Sequence, residues 1–168
     1  ALSATGPDSA SAHYVLGEPH APTADFGLVH EAVHQAKHLG KPVRVGPIVS
    51  SDIFYQPDPG LADRWSERGI LAVEMEAAVL FTLGALRKIR AGCMLIVSDV
   101  KGFTALSESI EADDLAQIIG SWYSDCERIL AEAGATVDKF IGDCVLAYWT
   151  TVSPETMYAS LRAAEHLL

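Results

Sequence analysis

The 168-residue sequence is poor in basic residues and has neither a long apolar run nor a signal-like leader. Its 12 Lys and Arg residues stand against 22 Asp and Glu residues, which gives a net charge of −10. Without a basic cluster, this balance argues against nucleic acid or an anionic membrane as a partner. No stretch reaches the length of a membrane span. We therefore expect a cytoplasmic protein with no nucleic-acid and no membrane partner.

Cysteine is also scarce. Cys93, Cys126 and Cys144 are odd in number, form no C-x-x-C motif, and each lies in an apolar run. This usage is typical of buried, reduced thiols in an intracellular protein.

What the sequence does have is enough apolar residue, 49%, to bury a substantial core. Apolar runs and helical periodicity predict an α/β fold with a mostly parallel sheet in the first half. Residues 1–24 lack a period and predict mostly loop, with a short strand near Tyr14 to Leu16. After them we predict three strands and three helices: helix 26–39, strand 43–49, helix 61–68, strand 69–75, helix 76–87 and strand 93–99.

The second half has clear local signals. A helix with apolar positions from Leu115 to Leu130 ends near Gly134. Two strand-like runs, 136–141 and 144–149, flank Gly142-Asp143 and predict an antiparallel hairpin. Ser153 as N-cap and Pro154 at the first helical position predict a final helix.

Four ordered motifs carry a resemblance in the first half. They are Ala21 to Phe26 (APTADF), Val45 to Tyr55 (VGPIVSSDIFY), Val73 to Ala78 (VEMEAA) and Val97 to Asp99 (VSD). On these motifs, residues 1–99 resemble the C-terminal half of a nucleoside phosphorylase of the purine nucleoside and uridine phosphorylase family.

The resemblance implies a nucleoside site that needs no cofactor. Glu76 would accept ribose hydroxyls, Met75 would line the sugar, and Phe54 would offer its aromatic face to the base. Asp99, at the end of the strand predicted over 93–99, would protonate the purine leaving group. The alternative is structural: Met75 and Phe54 as core residues and Glu76 as a helix-terminal charge.

Two parts of the family's phosphate site have no counterpart in this sequence. The family builds that site from an earlier Gly-rich turn and arginines of its N-terminal half. The arginine that follows its catalytic Asp is missing as well, because no Arg occurs between Arg90 and Arg128. Turnover is therefore expected to be weak or absent.

Two longer blocks carry a second resemblance. They are Asp99 to Glu108 (DVKGFTALSE) and Gly134 to Asp143 (GATVDKFIGD). Residues 96–168 resemble the N-terminal half of a class III adenylate or guanylate cyclase catalytic domain, which implies a ferredoxin-like half containing the hairpin.

In that family the aspartates matching Asp99 and Asp143 hold two Mg²⁺ or Mn²⁺ ions on a nucleoside triphosphate, and Lys139 matches a residue that reads adenine. Family cyclases build their site across a dimer, so a homodimer is possible. The alternative is a pair of turn aspartates and a solvated lysine.

Together the resemblances describe a chimera of two truncated enzymes, 1–99 and 100–168, that share the strand 93–99. We expect a nucleoside- or nucleotide-binding α/β protein with weak or no turnover. The alternative is a designed or recombined fold without ligand or catalytic function.

Overall fold

The computed structural model describes residues 1–6, 9–53, 56–95, 109–141 and 144–167. The chain divides into two compact units, Ala1–Leu95 and Ile96–Leu168. None of the described helices has both the length and the apolar character that crossing a membrane requires.

The first unit is a small parallel sheet with helices between its strands. Its described elements are β1 (Ser3–Thr5), α1 (Ser9–Val15), α2 (Phe26–His38), β2 (Pro47–Ser50), α3 (Leu61–Glu67), β3 (Val73–Glu74) and α4 (Ala77–Arg87). The strand order is β1-β2-β3, and both pairs are parallel. The predicted α/β class with a parallel sheet is therefore confirmed.

Apolar side chains and capping groups explain most of these elements. Ile48 of β2 packs with Ala78 and Phe81 of α4 in the core of the unit. Pro47 lies at the start of β2, where a residue without an amide hydrogen costs the sheet least. Asp25 begins α2 because its carboxylate accepts a hydrogen bond from the Leu28 amide at 2.9 Å.

Asp25 also ties the start of α2 to the segment that follows α4. Its amide donates to the Ala91 carbonyl at 2.8 Å. Its carboxylate lies 3.2 Å from Nε of the exposed Arg90. One residue thus joins two segments that are 65 positions apart in the chain.

The predicted strand near Tyr14 to Leu16 was wrong. Residues 1–24 contain β1 and α1, and Tyr14 and Val15 lie in the helix rather than in a strand. The amide and hydroxyl of Ser9, the first residue of α1, both donate to the Asp52 carboxylate at 2.7 Å. The group that stabilises this helix start is 43 residues away, so local sequence did not reveal it.

The predicted strand 93–99 is not found over its described residues. Cys93 to Leu95 have irregular backbone and pair with no strand of the described sheet. An apolar run of this length also fits a segment packed beside the core, and Cys93 packs there at partial burial. Residues 96–99 lie outside the described residues.

The described part of the second unit is a hairpin with two helices. Its elements are α5 (Ala112–Glu132), β4 (Thr136–Ile141), β5 (Cys144–Tyr148) and α6 (Pro154–His166). The strands are antiparallel, Ile141 pairs with Cys144, and the register shifts between Val137 and Lys139. The predicted hairpin and both helices are confirmed, whereas the ferredoxin-like assignment stays a prediction.

Local chemistry sets the ends of these helices. Gly134 ends α5 in a left-handed conformation with φ of 76°, which glycine adopts without strain. Ser153 and Thr156 form a reciprocal capping box at the start of α6. The Trp149 indole donates to the Ala133 carbonyl at 2.9 Å, which connects the end of β5 to the end of α5.

Candidate functional site

The site predicted in the first unit lies where β3 passes into α4. Met75 and Glu76 form the two-residue connection, and both are half-buried. Glu76 occupies the N-cap position of α4, so its prediction as a residue at a helix N-terminus is confirmed. Its own side chain makes no capping hydrogen bond. The carboxylate of Glu76 is therefore not used by the helix that it precedes.

Glu74 satisfies the helix start instead. Its Oε2 accepts hydrogen bonds from the amides of Glu76 at 2.7 Å and Ala77 at 2.6 Å. Its Oε1 accepts a hydrogen bond from the Ser50 hydroxyl. A carboxylate at this end of a helix also interacts favourably with the helix dipole.

Ser50 links this carboxylate to the sheet. The side chain is fully buried at the end of β2, and its Oγ accepts a hydrogen bond from the Ala78 amide at 2.8 Å. Three consecutive amides, those of Glu76, Ala77 and Ala78, thus bond to Glu74 or Ser50. Hydrogen bonds to Glu74 and Ser50 therefore fix the backbone where β3 passes into α4.

A second serine, Ser51, stabilises the turn that follows β2. The buried Ser51 hydroxyl accepts hydrogen bonds from the Ile53 amide at 3.2 Å and the Gln56 side-chain amide at 2.9 Å. This tight turn leads into Phe54, the predicted partner of the base, which lies outside the described residues.

The pKa of the Cys93 thiol is affected by the two glutamates, Glu74 and Glu76. The pKa of its thiol is raised to about 11: burial is the largest cause, the amino group of Ala1 opposes it, and the negative charges of Glu74 and Glu76 add smaller increases. The thiol is therefore protonated at neutral pH and is a poor nucleophile.

The remaining predicted site residues are not brought together by the described part of the chain. Asp99 and Asp143 lie outside it. Lys139 belongs to the second unit, where it is exposed on β4 with Nζ 3.5 Å from the Asp138 carboxylate. Within the described ranges, no group of three or more His, Cys, Asp and Glu residues is arranged to hold a metal ion.

Sequence reasoning missed Ser50 and Glu74 as members of the site. One signal was present: Glu74 lies three residues before Ala77, the spacing at which a side chain reaches the first amides of a helix. No comparable signal identified Ser50, because its partner Glu74 is 24 residues away.

Two cavities in the described part of the chain lie apart from Met75 and Glu76. One, of about 240 Å³, lies beside the C-terminal end of α4, where Asp25, Lys88 and Arg90 contribute to its wall. The other, of about 590 Å³, lies between α5 and α6 in the second unit, with Arg128 and Arg162 in its lining.

Comparison with known proteins agrees with the motifs of the first unit. The family model described as the phosphorylase superfamily matches residues 2–132. The purine nucleoside phosphorylase of DeoD type from Jannaschia sp. is 50% identical over 80 residues, which are 48% of this chain and 34% of that protein. The protein of the same name from Roseobacter denitrificans is 42% identical over 120 residues, 71% of this chain and 50% of that protein. The chain thus spans a third to a half of these relatives.

Proposed function

Because this chain belongs to the phosphorylase superfamily, we propose that its first unit binds a purine nucleoside at the junction of β3 and α4. The two relatives compared above are named purine nucleoside phosphorylases, which supports a purine as the base. Since the chain spans only a third to a half of them, the activity of the complete relatives is itself a proposal for this chain.

The proposal rests mainly on the different hydrogen bonding of two neighbouring glutamates, Glu74 and Glu76. Glu74 accepts hydrogen bonds from Ser50 and from the first amides of α4, whereas Glu76 does not cap that helix. A half-buried carboxylate on a fixed backbone suits the vicinal hydroxyls of ribose, since its oxygens are pure acceptors. The neighbouring thioether of Met75 offers the apolar face of the sugar a polarizable surface.

The reaction that such a site would serve is phosphorolysis. A phosphate oxygen attacks C1′ of the ribose, the bond from C1′ to the purine nitrogen breaks, and the bond's electron pair leaves with the purine. We assign Asp99 as the acid that protonates the purine as it leaves. No Arg occurs between Arg90 and Arg128 to stabilise the phosphate, so binding with weak or no turnover remains our proposal.

A thermal-shift measurement with inosine and adenosine tests nucleoside binding. Ligand at a hundred times its Kd stabilises a protein by about 2.7 kcal/mol, which moves the Tm of a unit of this size by about 10–20 °C. We expect this shift in the wild-type chain, its loss in Glu76→Gln, and its retention in the exposed control Glu67→Gln. A wild-type chain whose Tm moves with neither nucleoside would refute the proposal.

The second unit supports a second candidate, binding of a metal-bound nucleoside triphosphate through Asp99, Asp143 and Lys139. The hairpin of β4 and β5, in which Ile141 pairs with Cys144, lies in the segment that carries the cyclase resemblance. The block 134–143 lies beyond the family match, which reaches residue 132, whereas the block 99–108 lies within that match.

Mn²⁺ with ATP distinguishes this candidate from the first. Stabilisation that Asp143→Asn abolishes and Glu76→Gln preserves would favour it over nucleoside binding by the first unit. A chain that responds to neither nucleoside nor Mn²⁺ with ATP would instead match a fold without ligand function.

A further inference from the structure

We propose that the exposed side of α2 binds one Zn²⁺ ion, with His30 and His34 as its protein ligands and Glu31 as a carboxylate that supports His34. Two imidazole ligands leave the other coordination positions of the ion to water. The site is separate from the proposed nucleoside site, because its residues belong to α2 and not to the junction of β3 and α4.

The sequence of α2 contains a zinc-binding pattern. Residues 30–34 read HEAVH, which is an H-E-x-x-H motif. On a helix, this spacing places two imidazoles on one face and a glutamate beside them. A motif this short has meaning only in the right structural context, and here the whole motif lies inside the helix Phe26–His38.

The packing of α2 leaves both histidines on the solvent side. Leu28 and Ala36 are the buried residues of this helix. At about 100° per residue, His30 and His34 lie on the opposite side, and both are exposed, with 67% of the His34 side chain accessible. An ion therefore reaches both rings directly from solvent.

The spacing of the two histidines suits a chelate. Residues four apart lie about one helical turn, or 5.4 Å, from each other along the axis. Two nitrogens that bind a tetrahedral Zn²⁺ at about 2.0–2.1 Å lie about 3.3 Å apart, a separation that the two side chains reach by rotating toward each other. The helix holds both Cα atoms in place before the ion binds, so binding orders only the side chains.

Glu31 supplies the supporting carboxylate. Its Oε1 lies 4.0 Å from Nδ1 of His34 and accepts a hydrogen bond from the Gln35 side-chain amide at 2.7 Å. A carboxylate beside one ring nitrogen favours metal binding at the other, which is Nε2 here, and its negative charge attracts the cation.

The surroundings of the motif favour ion binding and not hydrolysis. Zinc hydrolases use the motif glutamate as a general base, whereas the Glu31 carboxylate accepts the amide of Gln35. Neither of the two cavities described above includes His30 or His34 in its lining. We therefore assign the site no catalytic step.

His38 provides a competing pair with His34, since it lies four residues further along the helix. It is the last residue of α2, where a helix frays, and Glu31 lies nearer the earlier pair. His30 and His38 are about 12 Å apart along the axis, too far for one ion to bind both. A two-histidine chelate is also consistent with the lack of a three-residue metal group within the described ranges.

The test is calorimetric titration of Zn²⁺ into the full chain in excess Mg²⁺, which occupies carboxylate sites but competes poorly for imidazole. We expect His30→Ala and His34→Ala each to weaken binding by about tenfold or more. The matched control His38→Ala should stay within about twofold of the wild-type affinity. Glu31→Gln should weaken binding less than the loss of a ligand does, because 4.0 Å is longer than a hydrogen bond.

Hydrogen exchange locates the bound ion independently of its affinity. An ion that joins two residues across one turn binds the folded helix only, so Zn²⁺ should slow exchange of the α2 peptide in the wild-type chain and not in His30→Ala. A wild-type chain that binds no Zn²⁺ under these conditions overturns the proposal, as does wild-type affinity in His30→Ala or His34→Ala. Equal weakening by His38→Ala and His30→Ala overturns the assigned ligand pair, and wild-type affinity in Glu31→Gln overturns the supporting role of Glu31.

Discussion

Replacing Ser50 by Ala should destabilise the first unit far more than the loss of one oxygen atom suggests. The Ser50 hydroxyl is fully buried, donates to Glu74 and accepts from the Ala78 amide at 2.8 Å. Alanine fits the same space but leaves both partners without this bond. A buried amide left unpaired costs about 1–3 kcal/mol, and loss of a hydrogen bond to a charged group costs about 1.5–3 kcal/mol.

Glu74 is half-buried, so water can replace part of its lost bond, and we expect a total of about 3 kcal/mol. That is a large share of the roughly 5–15 kcal/mol that stabilises a typical domain. With a urea dependence of about 1–3 kcal/mol per molar, the unfolding midpoint should fall by about 1–3 M.

Urea unfolding followed by circular dichroism measures the change, and hydrogen exchange of the peptide containing Ala77 and Ala78 assigns it to the start of α4. Ser124→Ala is the matched control, because Ser124 is exposed and its hydroxyl donates to the Gly120 carbonyl within α5. We expect the control to change the stability by less than about 0.5 kcal/mol. A Ser50→Ala midpoint equal to that of the control would refute the network described here.

Two further predictions concern other parts of the chain. Because the pKa of the Cys93 thiol is raised, its alkylation by iodoacetamide should be slow at pH 8. The pKa of about 11 in the folded chain also exceeds the ordinary value of 9.0. The free energy of unfolding should therefore fall as the pH rises from 9 toward 11. Peptide mapping of the labelled chain and unfolding at several pH values check this, and rapid labelling of the folded chain would contradict it. Trp149→Phe removes the hydrogen bond to the Ala133 carbonyl and should destabilise the second unit by about 1–2 kcal/mol in urea unfolding. Tyr148→Phe, at the exposed neighbouring position, should change the stability little. Equal effects of the two substitutions would contradict the role of the indole.

Elements with local signals were predicted well. The end of α5 at Gly134, the hairpin around residues 142–143 and the start of α6 at Ser153 each depend on residues a few positions apart. By contrast, α1 was missed because its capping carboxylate is that of Asp52, far along the chain. The apolar run from Cys93 failed for a different reason, since its composition fits a strand and an irregular segment beside the core equally well.

The candidate site also contains one residue that local sequence predicted and others that it did not. Glu76 at the start of a helix followed from the break between the strand and helix patterns, and the structure confirms its place. The network that supports Glu76 did not follow, because Ser50 and Glu74 meet only when β2 and β3 pair. Motifs therefore located the residue proposed to bind the ligand, whereas the residues that support it are identified only by the three-dimensional structure.

The hydrogen bonds and the ion pair of Asp25 affect how the polypeptide folds as it leaves the ribosome. Until residues 90 and 91 have emerged, this aspartate can begin α2 but lacks both the Ala91 carbonyl and the Arg90 guanidinium. Joining segments so distant in sequence carries a loop-closure cost before any contact repays it. Nascent chains from which residues 90 and 91 have not yet emerged should therefore remain open to proteases, and protection should develop over a narrow range of lengths beyond that point.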